Sequence, residues 1–271
     1  MKRLYYIFLI GTIFLANCSN ATQPNDPIPE HETFTIQSKQ VGELRTINVW
    51  TPEKYKSGTD SFTVLYMPDG GIKEDFPHIA NTLNHLINAK KIPPVILVGI
   101  ENTQRRKDLT GPTTVEKDKD IAPVVGGSAQ FRAFISDELI SEINNRYRTT
   151  SQKGIIGESL AGLFVTETFL LKPQLFDFYI AFDPSLWWSD KYLVKTANEH
   201  LGQFPDARKT FWFAGSGAKD ISATVKKLSI ILKSKNAENI KWQYSNEKKE
   251  SHKTIFRAAK EKAITWTLNN I

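Results

Sequence analysis

Cysteine is almost absent from this sequence of 271 residues, in which Cys18 is the only one. No disulfide is therefore possible within the folded domain. The five histidines are scattered, and the sequence contains neither a His-x-x-x-His motif nor a cysteine pair. These are the usual sources of ligands for a zinc site, so the composition argues against a metal-dependent hydrolase.

Long apolar runs are also scarce, and the one near the N-terminus is short. Residues 4–16 are mainly apolar, follow two basic residues, and are too few to span a bilayer. They predict a signal peptide over residues 1–17. Cys18 comes directly after, in a pattern that resembles the lipobox of bacterial lipoproteins. We expect an acylated Cys18 and an extracytoplasmic protein that meets the membrane only through this lipid; cleavage after Ala21, which leaves a soluble protein, is the alternative.

The segment that follows has almost no large apolar side chains. Residues 18–30 are rich in Asn, Pro, Thr and Asp, and such a segment cannot bury enough surface to offset the entropy of ordering it. We expect a tether. The sequence also lacks a basic stripe: the formal charge is +6, but the lysines are interspersed with acidic residues. Nucleic-acid binding is therefore not expected.

Short β-branched and aromatic runs alternate with longer amphipathic segments through the rest of the chain. This alternation is typical of a largely parallel sheet covered by helices on both faces. No internal repeat or second domain is evident, so we predict one α/β domain over residues 31–271 with a sheet of about eight strands. The predicted strands are 34–37, 45–50, 63–67, 95–100, 154–156, 178–182, 210–214 and 240–244.

One buried strand leads directly into a helix through a glycine-rich turn that contains Ser159. Gly157 and Ala161 flank this serine at the two positions where small residues keep strand and helix from colliding. The order of strand, sharp turn and helix is that of the nucleophile elbow of α/β hydrolases, which requires a strained backbone at the serine. Ser159 is therefore predicted to be the nucleophile, and a serine that only caps the helix is the alternative.

A nucleophilic serine needs a base and an acid, which follow it along the chain in this fold. His252 lies after the last predicted strand, where the base belongs, whereas His200 comes too early. Asp220, just beyond the seventh predicted strand, is our candidate for the acid. Glu247 or Glu250 could orient the histidine instead, or the serine and histidine could act alone.

The tetrahedral intermediate of acyl transfer needs two backbone N–H donors. One comes from the residue after the nucleophile, which is Leu160. The other comes from the loop after an early central strand, and that loop reads Pro-Asp-Gly-Gly. Proline has no N–H and glycine permits close approach, so Gly70 is predicted to be the second donor.

Several segments together resemble a known family. The matching segments resemble the esterase family of α/β hydrolases that includes ferric-siderophore (enterobactin-type) esterases and is related to esterase D. They are the elbow and residues 41–45, 49–52, 64–70, 99–110 and 184–188. The resemblance covers nearly the whole chain after the signal peptide. It implies the α/β-hydrolase fold and ester hydrolysis through an acyl-enzyme, without a metal or organic cofactor. The sequence departs from the family at Asp183, where serine is common.

Two further residues match family positions near the pocket. Arg105 could hold an acidic or catecholate group, and Trp187 could stack on a ring of the substrate. Arg105 could instead pair with Asp108, and Trp187 could only pack beneath its loop.

The function predicted from these features is that of a serine carboxylic-ester hydrolase whose partner is a small-molecule ester. The substrate would be a siderophore ester or another extracytoplasmic ester. An acyltransferase that uses the same serine, or a lipoprotein that binds a ligand without cleaving it, are the alternatives.

Overall fold

The computed structural model describes residues 26–271, so the predicted signal peptide and Cys18 lie outside the described residues. One eight-stranded sheet runs through this part of the chain in the order β1-β2-β4-β3-β5-β6-β7-β8. The strands are Glu32–Gln37 (β1), Leu44–Trp50 (β2), Phe62–Pro68 (β3), Val95–Ile100 (β4), Thr149–Glu158 (β5), Phe178–Phe182 (β6), Lys209–Ser216 (β7) and Ile240–Glu247 (β8).

The pairing of the strands is mostly parallel. β1 pairs antiparallel with β2, and β2 antiparallel with β4, whereas every other pair in the sheet is parallel. The central strands are buried almost without interruption because helices cover both faces. The prediction of an α/β-hydrolase sheet with eight, mostly parallel strands is confirmed.

Ten α-helices lie between the strands or follow them within residues 26–271. They are Glu53–Ser57 (α1), Phe76–Asn88 (α2), Arg105–Asp108 (α3), Glu116–Lys119 (α4), Ser128–Ala133 (α5), Ile140–Arg146 (α6), Leu160–Leu171 (α7), Trp188–Gly202 (α8), Lys219–Lys235 (α9) and Ile255–Leu268 (α10). A π-helical segment, Phe134–Leu139, joins α5 to α6.

The helices divide between the two faces of the sheet. α2 and α10 pack their apolar side chains on one face, around Phe76 and Phe256. α7, α8, α9 and the helical segment 128–146 pack on the other, around Phe164 and Phe169. Because β3 to β8 are parallel wherever they pair with one another, their carboxyl ends meet at one edge of the sheet, and the loops that follow them converge there.

The described end of the predicted tether contacts the domain. The Asp26 carboxylate lies 2.5 Å from an Arg257 guanidinium nitrogen. The Asn81 side-chain amide donates to the Pro27 carbonyl oxygen at 2.7 Å. Polar contacts thus hold residues 26–30 to the surface although they bury little apolar area. Within residues 26–271, no helix combines the length and apolar character that crossing a bilayer requires.

Candidate active site

Ser159 lies at the turn between β5 and α7 with backbone angles φ 59° and ψ −116°. An L residue seldom adopts this conformation, and the surrounding contacts hold it in place. The Ser159 N–H donates to the Phe182 carbonyl oxygen at 3.0 Å. A Cβ atom on Gly157 would lie 2.7 Å from the Ala161 side chain, so the predicted need for small residues on both sides of the serine has a steric basis. The turn has the geometry of a nucleophile elbow.

His252 lies in the loop between β8 and α10 and reaches back to the serine. Its Nε2 atom is 3.0 Å from Ser159 Oγ. The hydrogen bond with Asp183 raises the pKa of His252 above its ordinary value; partial burial opposes this, and the charges of Glu158 and Asp183 add to it. A neutral imidazole with its proton on Nδ1 can accept the serine proton at Nε2. The structure therefore brings together Ser159 and His252, the two residues that the sequence predicts to act as nucleophile and base.

The carboxylate beside His252 belongs to Asp183 and not to Asp220. Asp183 Oδ2 lies 3.0 Å from His252 Nδ1. Asp220 is an exposed residue in the first turn of α9, so the prediction of Asp220 as the orienting acid is wrong. The alternative Glu247 accepts hydrogen bonds from Ser245 and Lys262 instead. The carboxylate that contacts His252 follows β6 rather than β7, one strand nearer to Ser159.

Asp183 is held firmly for this contact. Its side chain is fully buried, and Oδ1 accepts a hydrogen bond from the Ser216 N–H at 2.6 Å. Its own N–H donates to the Ala214 carbonyl oxygen at 2.9 Å. The sequence did contain a signal for this role, since Asp183 replaces a serine that is common in related sequences.

A second carboxyl group approaches the same imidazole nitrogen. Glu158, the last residue of β5, has Oε1 at 3.5 Å from His252 Nδ1. Burial raises the pKa of Glu158 to about 8; the charge of His252 opposes this shift, and the negative charge of Asp75 adds to it. The Glu158 carboxyl group therefore holds its proton to a higher pH than a free glutamate does, and it lies farther from His252 Nδ1 than Asp183 Oδ2 does.

The raised pKa of Glu158 predicts that stability falls as the pH rises. An acid with a higher pKa in the folded than in the unfolded state holds its proton more tightly when folded, so stability is lost between pH 4.5 and about pH 8. We expect Glu158→Gln to raise the free energy of unfolding at pH 8 by on the order of 3 kcal/mol, and hardly at all near pH 5. Thermal unfolding of both proteins at the two pH values measures this difference.

The matched control is Glu238→Gln, which changes an exposed carboxylate. It should leave the unfolding temperature unchanged at both pH values. If Glu158→Gln shifted the unfolding temperature equally at both pH values, a protonated Glu158 in the native protein would be contradicted.

Of the two predicted oxyanion donors, Leu160 has a free backbone N–H among residues 26–271 and Gly70 does not. Leu160 begins α7, so its N–H is one of the four that have no acceptor within the helix, and it can serve an oxyanion. The prediction for Gly70 is wrong, because its N–H already donates to the Ile100 carbonyl oxygen at 2.9 Å. The next N–H, that of Gly71, donates to the Glu74 carboxylate at 2.7 Å. Gly70 instead permits the loop after β3 to pack closely on the end of β4, because a Cβ there would lie 2.2 Å from the Ile100 backbone nitrogen.

Arg105 lies beside the site but is already paired. Its Nε and NH2 atoms donate to the two carboxylate oxygens of Asp69 at 2.6 and 2.7 Å. Although burial opposes the charge, these hydrogen bonds and the nearby charges of Asp69 and Glu158 raise the pKa of Arg105. The alternative pairing with Asp108 is wrong, since Asp108 lies 2.7 Å from an Arg45 nitrogen. About a third of the Arg105 side chain is exposed.

Trp187 is half-buried at the start of α8. Its ring packs edge-on against Trp188, with 6.0 Å between the ring centroids. The packing alternative therefore describes part of its role, and contact with a substrate stays a prediction.

Comparison with known proteins finds relatives that are similar in sequence to part of this chain. Ferri-bacillibactin esterase BesA of Bacillus subtilis is 35% identical over 121 residues, which cover 40% of this chain and 42% of that protein. Siderophore triacetylfusarinine C esterase of Aspergillus fumigatus is 28% identical over 190 residues, or 63% of this chain and 61% of that protein. The chain thus matches less than two thirds of the length of these curated relatives.

Solved structures share the fold over most of the chain. An IroE-like serine hydrolase from Shewanella oneidensis is 24% identical, with a TM-score of 0.79, and covers 89% of this chain and 80% of its own. The BES protein from Bacillus cereus is 19% identical, with a TM-score of 0.78 and coverage of 89% and 97%. A family model matches residues 38–267, which is most of the described domain. The chain therefore belongs to the esterase family described as "Putative esterase".

Proposed function

We propose that this protein hydrolyses carboxylic esters, with Ser159 as the nucleophile and a covalent acyl-enzyme as the intermediate. The observation that carries the proposal is the unbroken hydrogen-bonded line from Ser159 Oγ through His252 to Asp183, with 3.0 Å at each step. This arrangement activates a serine hydroxyl for attack on an acyl carbon. Membership of the esterase family supports the same reaction class.

In the first half of the reaction, His252 Nε2 accepts the proton of Ser159 Oγ as this oxygen attacks the carbonyl carbon. Asp183 keeps the other imidazole proton on Nδ1 and stabilises the imidazolium that forms. The carbonyl oxygen becomes an oxyanion, to which Leu160 offers its N–H. A backbone donor of this kind can contribute about 3 kcal/mol to stabilising the transition state.

The bond to the alcohol then breaks, and His252 gives its proton to the departing oxygen. The acyl group stays on Ser159 until a water molecule, deprotonated by His252, attacks it and releases the carboxylic acid. His252 thus alternates between base and acid. Its exposed fraction of 37% leaves the ring accessible to that water.

The substrate that we propose is a siderophore ester or another ester outside the cytoplasm. The support comes from the names of two relatives, a ferri-bacillibactin esterase and a siderophore triacetylfusarinine C esterase. We further propose that Arg105 and Trp187 contact the substrate, Arg105 through the exposed part of its guanidinium. Secretion and acylation of Cys18 stay predictions from the sequence.

The experiment is to incubate the purified protein with p-nitrophenyl acetate and, separately, with a fluorophosphonate probe. We expect release of p-nitrophenol and a covalent adduct on the peptide that contains Ser159. Adding an alcohol to the reaction distinguishes hydrolysis from acyl transfer, because a transferase would form an ester of the acyl group with the added alcohol. If the protein showed no turnover and no labelling, the proposal would be contradicted. A ligand-binding protein would then be the remaining hypothesis.

A further inference from the structure

Glu158 immediately precedes Ser159, and its carboxyl group lies beside the imidazole of His252. Glu158 pairs with Phe182 in the β5–β6 ladder, so its backbone is held within the sheet. Its Oε1 atom lies 3.5 Å from His252 Nδ1, the nitrogen that Asp183 Oδ2 contacts at 3.0 Å. The proposed mechanism uses Asp183 and assigns no role to Glu158.

The two carboxyl groups differ in how their oxygens are occupied. Asp183 is fully buried, and its Oδ1 accepts a hydrogen bond from the Ser216 N–H at 2.6 Å. Within residues 26–271 no N–H or O–H group donates a hydrogen bond to the Glu158 side chain, of which 18% is exposed. The charge of an ionised Glu158 is therefore not compensated by hydrogen bonds, and His252 is the described cation within ion-pair distance.

Charged groups on three further segments influence Glu158. Burial raises the pKa of Glu158 to about 8, and the negative charges of Asp75, before α2, and Asp69, after β3, act in the same direction. The charges of His252 and of Arg105, in α3, oppose this shift. Arg105 is itself hydrogen-bonded to Asp69, so an ionised Glu158 depends mainly on His252 for compensation.

The charge of the His252 ring changes as Ser159 attacks the ester. The ring is neutral before it accepts the serine proton and is an imidazolium beside the oxyanion. A carboxylate 3.5 Å from Nδ1 stabilises the imidazolium more than the neutral ring, so it lowers the barrier to attack. An opposite charge at such a distance shifts a pKa by about one unit or more, which corresponds to about tenfold in rate.

We propose that Glu158 is a positioning residue whose ionised carboxylate holds and stabilises the imidazolium form of His252 while Ser159 attacks. The inference rests on the proposed function and adds a second carboxylate to the pair of His252 and Asp183. Asp183 fixes the tautomer because it lies within hydrogen-bond distance, whereas Glu158 acts through its charge. Glu158 therefore lowers stability at high pH and raises the rate over the same pH range.

The test is the pH dependence of kcat/KM for p-nitrophenyl acetate in the wild type and in Glu158→Gln. At pH 5.5 Glu158 retains its proton, so the two proteins carry an uncharged side chain and should agree within about twofold. Around pH 8 the wild type should show a second rise, and at pH 9 its kcat/KM should exceed that of Glu158→Gln about five- to tenfold. Glu238→Gln, the same change at an exposed residue, should follow the wild type.

A proton NMR titration of the histidine rings gives a second reading that does not depend on turnover. The His252 signal is identified by its absence from His252→Ala. In the wild type this signal should move in two steps, one as His252 itself titrates and one around pH 8 as Glu158 ionises. In Glu158→Gln the second step should be missing, and Glu238→Gln should retain it.

Three results would overturn the inference. They are a pH profile that is the same in Glu158→Gln and the wild type, a loss of the same size at pH 5.5 and pH 9, and a wild-type titration with one step. The second of these would indicate a purely structural role. If the wild type hydrolysed no ester, the proposed function would be overturned instead, and the titration would still decide whether Glu158 acts on His252.

Discussion

Replacement of Ser159 by alanine is expected to lower kcat for p-nitrophenyl acetate by about 10⁵- to 10⁶-fold. In the proposed mechanism this hydroxyl forms the acyl-enzyme, and among the described side chains it is the one that lies 3.0 Å from His252 Nε2. His252→Ala should cost about as much, because an unassisted serine hydroxyl is a weak nucleophile near neutral pH. The double variant should be no slower than either single one, since the two residues act as a unit.

The control for His252→Ala is His85→Ala, which removes an exposed histidine of α2. It should leave kcat and KM unchanged. Steady-state rates of the wild type and the four variants, with circular dichroism to verify folding, provide the measurement. A residual rate within a hundredfold of the wild type in Ser159→Ala would mean that another group attacks the ester.

The second large effect on kcat is expected from replacement of Asp183, the carboxylate beside His252. Asp183→Asn is expected to lower kcat by about 10³- to 10⁴-fold while the fold is retained. The amide oxygen of the new residue would accept from the Ser216 N–H, as Asp183 Oδ1 does at 2.6 Å, which turns the NH₂ group toward His252 Nδ1. The imidazole would then carry its proton on Nε2, where it could no longer accept the proton of Ser159. The expected loss of kcat therefore comes from the wrong tautomer of His252 as well as from the missing charge of Asp183.

Asp220→Asn is the matched control, because it makes the same chemical change at the exposed residue that the sequence favoured. We expect its kcat to stay within twofold of the wild type. A large loss in Asp220→Asn with little loss in Asp183→Asn would reverse the assignment of the acid. A small loss in both would indicate that Glu158, at 3.5 Å from Nδ1, can orient the histidine.

Much of the fold could be predicted from the sequence because its signals are local. The apolar runs of β3, β4 and β6 are short and flanked by turns, and each is a buried strand in the structure. The elbow at Ser159 was readable for the same reason, since Gly157, Ser159 and α7 are contiguous. His252 followed from chain order alone.

The errors concern contacts between distant segments. Asp220 was favoured because it follows β7, yet Asp183, after β6, is the carboxylate that reaches His252 across 69 residues of sequence. Gly70 is a candidate donor from the sequence because glycine permits close approach of a substrate. In the structure the β4 backbone lies against Gly70 instead, and the Gly70 N–H donates to it. Local chemistry identified residues suited to each role, and only the packing of neighbouring strands decides which group faces the site.

The position of Asp183 at the end of β6 also suggests which part of the site is displaced first on heating. Glu158 pairs with Phe182 in the β5–β6 ladder, so Ser159 and Asp183 each follow a residue that is hydrogen-bonded into the middle of the sheet. Their separation is set by the spacing of two adjacent strands, about 4.8 Å, rather than by loops. His252 alone depends on a loop, and that loop follows β8, an edge strand. On heating, activity should therefore fade by displacement of the histidine before the sheet melts, and cooling should restore it.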